Sequence, residues 1–216
     1  MNNLLAELSY ATEVVAFLCM CWFAYRHRTR RSLLLVFLLL LVVLGESLNK
    51  FQVLPSQATS LVTVNSLVLV EWLCYAVFFQ WSISTLKFRR MILIGLGLLG
   101  LFAIVNTLFL QSMTATIQTY TYILGALFIL GCILLFFHEI LLVQEVVVPL
   151  HRRYYLWISA GLFLFLAADI PVMMILNYMI EHKISPADWP VMNVKMAASS
   201  LYYSTYAVGL LWARTE

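Results

Sequence analysis

The sequence predicts an all-α polytopic membrane protein, a single domain of seven transmembrane helices over residues 1–216, with the N-terminus outside and the C-terminus cytoplasmic. Three observations carry this expectation. A spanning helix needs roughly 20 mostly apolar residues, and stretches of that kind at 4–25, 32–54, 61–83, 91–111, 117–143, 154–180 and 189–212 take up almost all of the chain. Hydrophobic residues make up 63% and charged residues 11%, a balance far from that of soluble domains. Basic residues recur in alternate connections: Arg26, Arg28, Arg30 and Arg31, then Lys87, Arg89 and Arg90, then Arg152 and Arg153, and finally Arg214. By the positive-inside rule these connections are cytoplasmic. The opposite ones, at 55–60, 112–116 and 181–188, carry only Lys183, with Lys50 closing the second stretch. The net charge of +3 is therefore read as a topology signal rather than as a surface for nucleic acid or anionic lipid.

The first stretch contains Glu7 and Glu13, lacks a basic leader and ends without a small-residue cleavage site, so it reads as a retained helix. Glu46 and Lys50, near the end of the second, are four residues apart and share one helical face in the favourable acid-before-base order. The third stretch carries Glu71 followed by Trp72 and Tyr75. The fourth holds Gly95, Gly97 and Gly100, which match the dinucleotide fingerprint by letter only, because no strand precedes them. These glycines, with Gly125 and Gly131 on the fifth stretch, are expected to let helices approach closely. The sixth contains Asp169-Ile170-Pro171, where a proline frees a backbone carbonyl beside an acid and makes Pro171 a candidate hinge. The seventh carries Asn193, Lys195 and three tyrosines, Tyr202, Tyr203 and Tyr206.

A helix rises about 1.5 Å per residue across a hydrocarbon core roughly 30 Å thick. On that scale Glu71 and Asp169 lie about 15 Å below the outer surface, Glu13 slightly shallower, and Glu46 and Lys195 near 10 Å. A charge exposed to lipid costs about 2.5–3.5 kcal/mol on insertion scales, so these groups are expected to face the bundle interior or a wet cavity. The bland alternatives are a snorkelling Lys195 and structural interhelical hydrogen bonds for the carboxyls. Four acids, Glu13, Glu46, Glu71 and Asp169, face two lysines, Lys50 and Lys195, a balance suited to a cation or proton. Trp72 and Tyr75 suit a cationic ligand if they are more than packing.

Catalytic and metal signatures are not expected. The four cysteines, Cys19, Cys21, Cys74 and Cys132, lie inside apolar stretches, which argues against a disulfide framework or a zinc site. His27, His138, His151 and His182 show no ligand spacing, and Ser159, Ser199 and Ser200 have no evident histidine base. His138 beside Glu139 is either an interfacial proton relay or an ordinary interfacial pair.

Two resemblances add to this reading. A lysine on the seventh helix and Glu71-Trp72 on the third resemble the Schiff-base lysine and counter-ion of the retinal proteins, which implies retinal at Lys195. The chain departs from that pattern at Val191, Val68, Ala167 and Ile170. More broadly, Gly45-Glu46, Asn65 with Glu71, Thr119-Tyr120-Thr121-Tyr122-Ile123-Leu124-Gly125, Trp157-Ile158-Ser159-Ala160-Gly161 and Asn193 are similar to an uncharacterised family of small bacterial seven-helix membrane proteins. That resemblance implies the bacterial inner (cytoplasmic) membrane and brings Asn193 among the candidate site residues. Asp169 and Lys195 stand where that family has uncharged residues.

The expected function is that of a binding or sensory membrane protein. An outward-facing pocket of Glu13, Glu46, Lys50, Glu71, Trp72, Tyr75, Asp169, Asn193 and Lys195 takes a small ligand, and the sixth helix shifts about Pro171 to inform a cytoplasmic partner. The alternatives are a proton-coupled carrier, using Glu71 or Asp169, and a structural subunit whose charges pair with another membrane protein. No internal repeat favours the carrier.

Overall fold

The computed structural model describes residues 2–142, 154–182 and 190–212. His151, Arg152, Arg153, Lys183 and Arg214, which entered the topology and site arguments above, lie outside the described residues. The elements are α1 (Asn2–His27), α2 (Arg30–Lys50), α3 (Gln57–Ser82), α4 (Leu86–Val105) running into a π-helical turn (Asn106–Leu110), α5 (Thr119–Leu142), α6 (Tyr154–Glu181) and α7 (Pro190–Trp212). Among the described residues there is no strand.

Among the described residues, six helices are long and apolar enough to cross a membrane: Leu4–His27, Arg30–Lys50, Gln57–Ser82, Leu86–Leu110, Thr119–Leu141 and Tyr154–Leu176. The seventh helix forms but is not among them. Asn193, Lys195, Ser199, Ser200, Ser204 and Thr205 dilute its apolar content, and it packs against α1 and α6, with Ser199 and Ser200 buried. The outward surface has the opposite character. On α4, Leu93, Ile94, Leu98, Leu101 and Ile104 are all exposed, an apolar stripe that water would penalise and lipid accepts.

Helix ends depart from the expected bounds where charged residues continue a helix. The first connection shrinks to Arg28 and Thr29, with Arg26, His27, Arg30 and Arg31 all helical. Thr29 caps α2, its Oγ1 accepting from the Ser32 N–H at 3.1 Å while Ser32 Oγ accepts from the Thr29 N–H at 3.1 Å. Ser56 caps α3 four residues earlier than apolarity alone suggests, accepting from the Thr59 N–H at 3.2 Å. Lys87, Arg89 and Arg90 lie in the first turns of α4 rather than before it. Basic side chains reach the headgroup layer from a helix as readily as from a loop. At the other side, α2 stops at Lys50 rather than 54, where Gln52 takes a positive φ of 50°.

The chain forms two compact units. Unit 1, residues 1–39 and 144–216, places α7 against both α6 and α1. Its core is Ala16, Met20 and Phe23 of α1, Leu35 and Leu38 of α2, Ile158, Leu162 and Leu166 of α6, and Tyr202 and Tyr206 of α7. Two glycines bring α6 and α7 together: Gly161 receives Thr205, and Gly209 receives Trp157. In unit 2, residues 40–143, α3, α4 and α5 pack on one another. Gly95 of α4 lies under Phe128, and Gly125 of α5 lies under the Trp72 indole, whereas Gly97, Gly100 and Gly131 face open space. Close approach, expected for all five, thus applies to two of them.

Candidate functional site

Unit 1 brings together the charged and hydroxyl groups of α1, α6 and α7. Asp169 is fully buried on α6, and its Oδ1 lies 3.2 Å from Lys195 Nζ on α7, whose side chain keeps 30% of its surface exposed. One helical turn further along α7, Ser199 Oγ accepts from Ser9 Oγ of α1 at 3.1 Å. Ser9 Oγ also reaches Glu13 Oε1 at 3.5 Å, and Glu13 itself is buried. On α7 this polar face continues into Tyr202 and Tyr206, whose hydroxyls are 2.9 Å apart, with Tyr202 stacked on Phe165 of α6. The spacing explains the alignment, because residues 195, 199, 202 and 206 recur at three- and four-residue intervals and so share one helical face.

Two further polar atoms lie on α6 and α7. Asn193 Oδ1 and Ser159 Oγ are buried and make no hydrogen bond among the described residues. Pro171 lies inside α6, two residues beyond Asp169, and the helix continues through it to Glu181. Because proline has no N–H, the carbonyl one turn earlier loses its helical partner there, beside the buried acid.

Unit 2 holds the other expected site residues. Glu71 is half-buried on α3. Trp72 and Tyr75 are buried, with Trp72 edge-on to Tyr122 at 5.3 Å and tilted to Tyr75 at 6.3 Å. Glu46 and Lys50 are exposed near the end of α2. Interior placement therefore applies to Glu13 and Asp169, while Glu46 and Lys50 lie on the surface. α2 is apolar on nearly every side, so its sequence sets the depth of Glu46 but not the direction it faces.

Unit 2 also holds a polar cluster outside the expected site residues. Asn65 Nδ2 donates to the carbonyls of Met113 at 3.1 Å and Thr116 at 3.0 Å, and its Oδ1 accepts from the Gln118 N–H at 3.0 Å. Gln118 Nε2 donates to Thr107 Oγ1 at 2.8 Å and to the Gln111 carbonyl at 3.0 Å. Asn106 Nδ2 donates to Thr121 Oγ1 at 2.8 Å, and Gln111 Nε2 to Thr119 Oγ1 at 3.1 Å. These bonds satisfy the backbone of the α4–α5 connection and fasten it to α3, as buried polar groups require. The sequence signal was the density of amides and threonines between Asn106 and Thr121.

Glu139 is likewise structural. Its two carboxylate oxygens accept from the N–H groups of Ser84 at 2.6 Å and Thr85 at 3.1 Å, which clamps α5 to the start of α4. His138 is exposed and packs edge-on to Phe88 instead. Among the described residues, no group of three or more His, Cys, Asp or Glu is placed to hold a metal ion. Comparison with family models, curated proteins and solved structures finds no match, so any functional reading rests on the chemistry of these side chains.

Proposed function

We propose that the protein is an integral membrane binding or sensory protein that takes a small polar ligand at the Asp169–Lys195 pair. In this reading all seven helices lie across a bacterial inner membrane, with the N-terminus outside and the C-terminus cytoplasmic. The observation that carries it is the buried carboxylate of Asp169 held 3.2 Å from a lysine that keeps a third of its surface open. A buried pair of this kind is weak evidence for stability, since well-packed apolar residues do as well or better. In membrane helices, ionisable groups mark functional paths by default. A zwitterionic or carboxylate ligand would exchange partners with the pair, and Glu13 reaches the same face of α7 through Ser9 and Ser199. Displacing the pair changes the load on α6 two residues from Pro171, and a cytoplasmic partner reads the shift. Glu46, Lys50, Glu71, Trp72 and Tyr75 belong to the other unit, and the reading does not require them.

A second reading, a proton-coupled carrier, is favoured by the hydrogen-bonded set of Glu13, Ser9 and Ser199 one turn from Lys195 on α7. One experiment separates the classes. Wild type, Asp169→Asn and Lys195→Met are screened for thermal stabilisation by a panel of small zwitterions, carboxylates and amines, then reconstituted in liposomes for proton-flux measurement with the same compounds. The binding reading expects stabilisation of wild type that Lys195→Met loses, without flux. Compound-driven proton flux that Asp169→Asn abolishes selects the carrier. No response to any compound, with a membrane protein co-purifying with wild type but not with Lys195→Met, selects the structural subunit. A visible absorption band on adding retinal, lost in Lys195→Met, selects the retinal reading.

A further inference from the structure

Between residues 14 and 45 the chain contains no acidic residue, yet Arg26, His27, Arg28, Arg30 and Arg31 crowd into the turn from α1 to α2. A topology signal needs only that count of charges. The turn has more. Arg28 takes a positive φ of 42°, the left-handed conformation that ordinarily selects glycine or asparagine after a helix. Its N–H closes α1 by donating to the Ala24 carbonyl at 2.8 Å. Its guanidinium lies over the Tyr25 ring at 5.8 Å, as Arg26 lies over Trp22 and Arg31 over Tyr155, each at 5.9 Å.

Directly beside Arg28, α1 and α2 leave a groove of about 340 Å³ lined by Cys21, Ala24, Tyr25, Leu33, Val36 and Arg28 itself. Every wall residue but one is aromatic, aliphatic or thiol, and the exception, Arg28, lines the groove with its carbon stem while its guanidinium lies over the Tyr25 ring. Trp22 and Tyr25 are exposed beside it, as aromatic rings at the headgroup level of a bilayer are. The grooves between α3 and α4, about 490 Å³, and between α4 and α5, about 360 Å³, are lined by no charged residue.

We infer that the α1–α2 groove is a binding site for an anionic glycerophospholipid. One acyl chain lies between Leu33, Val36, Ala24 and Cys21, and the phosphate is held by Arg28. Guanidinium matches phosphate in a bidentate, charge-assisted geometry, basic pockets between helices at a membrane face bind anionic headgroups, and no carboxylate on either helix near the turn competes. The two larger grooves supply the internal control, because with no charged residue along them they take chains without regard to headgroup.

The test is native mass spectrometry in about 150 mM volatile salt, where attraction between exposed charges is screened beyond about 8 Å, with phosphatidylglycerol and phosphatidylcholine of matched chains. Wild type is expected to retain one phosphatidylglycerol at least about tenfold more tightly than phosphatidylcholine, the order that a charge-assisted pair to phosphate supplies. Arg28→Asn, which suits the left-handed backbone and so keeps the fold, removes that preference with an unchanged melting temperature. Arg30→Gln, with the same charge change outside the groove wall, keeps most of it. Val36→Phe fills the groove and removes the tight phosphatidylglycerol. Equal retention of the two lipids by wild type would overturn the inference. So would equal losses in Arg28→Asn and Arg30→Gln, which indicate a diffuse basic field, or a dimer that Val36→Phe dissociates, which indicates a second copy in the groove.

Discussion

Breaking the Asp169–Lys195 pair from its two ends should give unequal results. Lys195→Met takes the ammonium away from a carboxylate with no exposed surface, whereas Asp169→Asn leaves a lysine whose side chain is already 30% exposed and can turn its charge outward. Removing one member of a buried pair costs about 3–5 kcal/mol, while replacing both by apolar or neutral groups is near neutral. Discounting for the exposure of Lys195, Lys195→Met should cost about 3 kcal/mol, Asp169→Asn about 1 kcal/mol, and the double variant about 1 kcal/mol, a coupling of about 3 kcal/mol. At this chain length, the melting temperature falls by roughly 2–4 °C per kcal/mol. The protein supplies its own reporter, because Cys74 and Cys132 are buried free thiols that react with a maleimide dye on unfolding. Melting curves of the four proteins in one detergent complete the cycle. Additive losses, with coupling below about 0.5 kcal/mol, would refute the pairing, and equal losses in the two single variants would refute its asymmetry.

Three other outcomes follow from the packing. Gly125→Ala drives a methyl into the Trp72 indole and should cost about 1–3 kcal/mol, whereas Gly131→Ala, which meets nothing, should be neutral or stabilising by about 0.5–1 kcal/mol; melting curves compare the two. Asn65→Leu removes three bonds that tie the α4–α5 connection to α3 and should cost about 2–4 kcal/mol, with faster hydrogen exchange at the Gln118 amide as its local signature. Pro171→Ala restores a helical donor in α6 and should leave stability unchanged or raised. If α6 is the moving element, it should also abolish any ligand-driven change in the spacing of spin labels across that helix while leaving binding intact; an unaltered change removes the hinge role.

The positions of the helices were legible because a bilayer forces long apolar runs, and every expected helix has a counterpart within a few residues of the place its apolar content suggests. The charged ends were not, since Arg26, Arg30 and Lys87 are helical rather than in loops. Asp169 and Lys195 could be marked as buried and in need of partners, but only the packing of α6 on α7 pairs them. Glu46 shows the converse, because depth follows from counting residues and facing follows from a polar stripe that α2 lacks. The bonds from Ser9 to Ser199 and from Asn65 to Gln118 join residues 190 and 53 positions apart, and no local pattern announces such partners. The polar composition of α7 was legible too, and it explains why that helix is not counted with the six spans.

The most direct test of a ligand site at Asp169–Lys195 is native mass spectrometry of gently solubilised protein beside a denatured control. The account predicts a small non-lipid mass on wild type that is absent from Lys195→Met and from the denatured control. A mass that survives denaturation and maps to Lys195 would replace this reading with a covalent adduct. The same adducts on wild type and Lys195→Met, or none on either, would contradict the account.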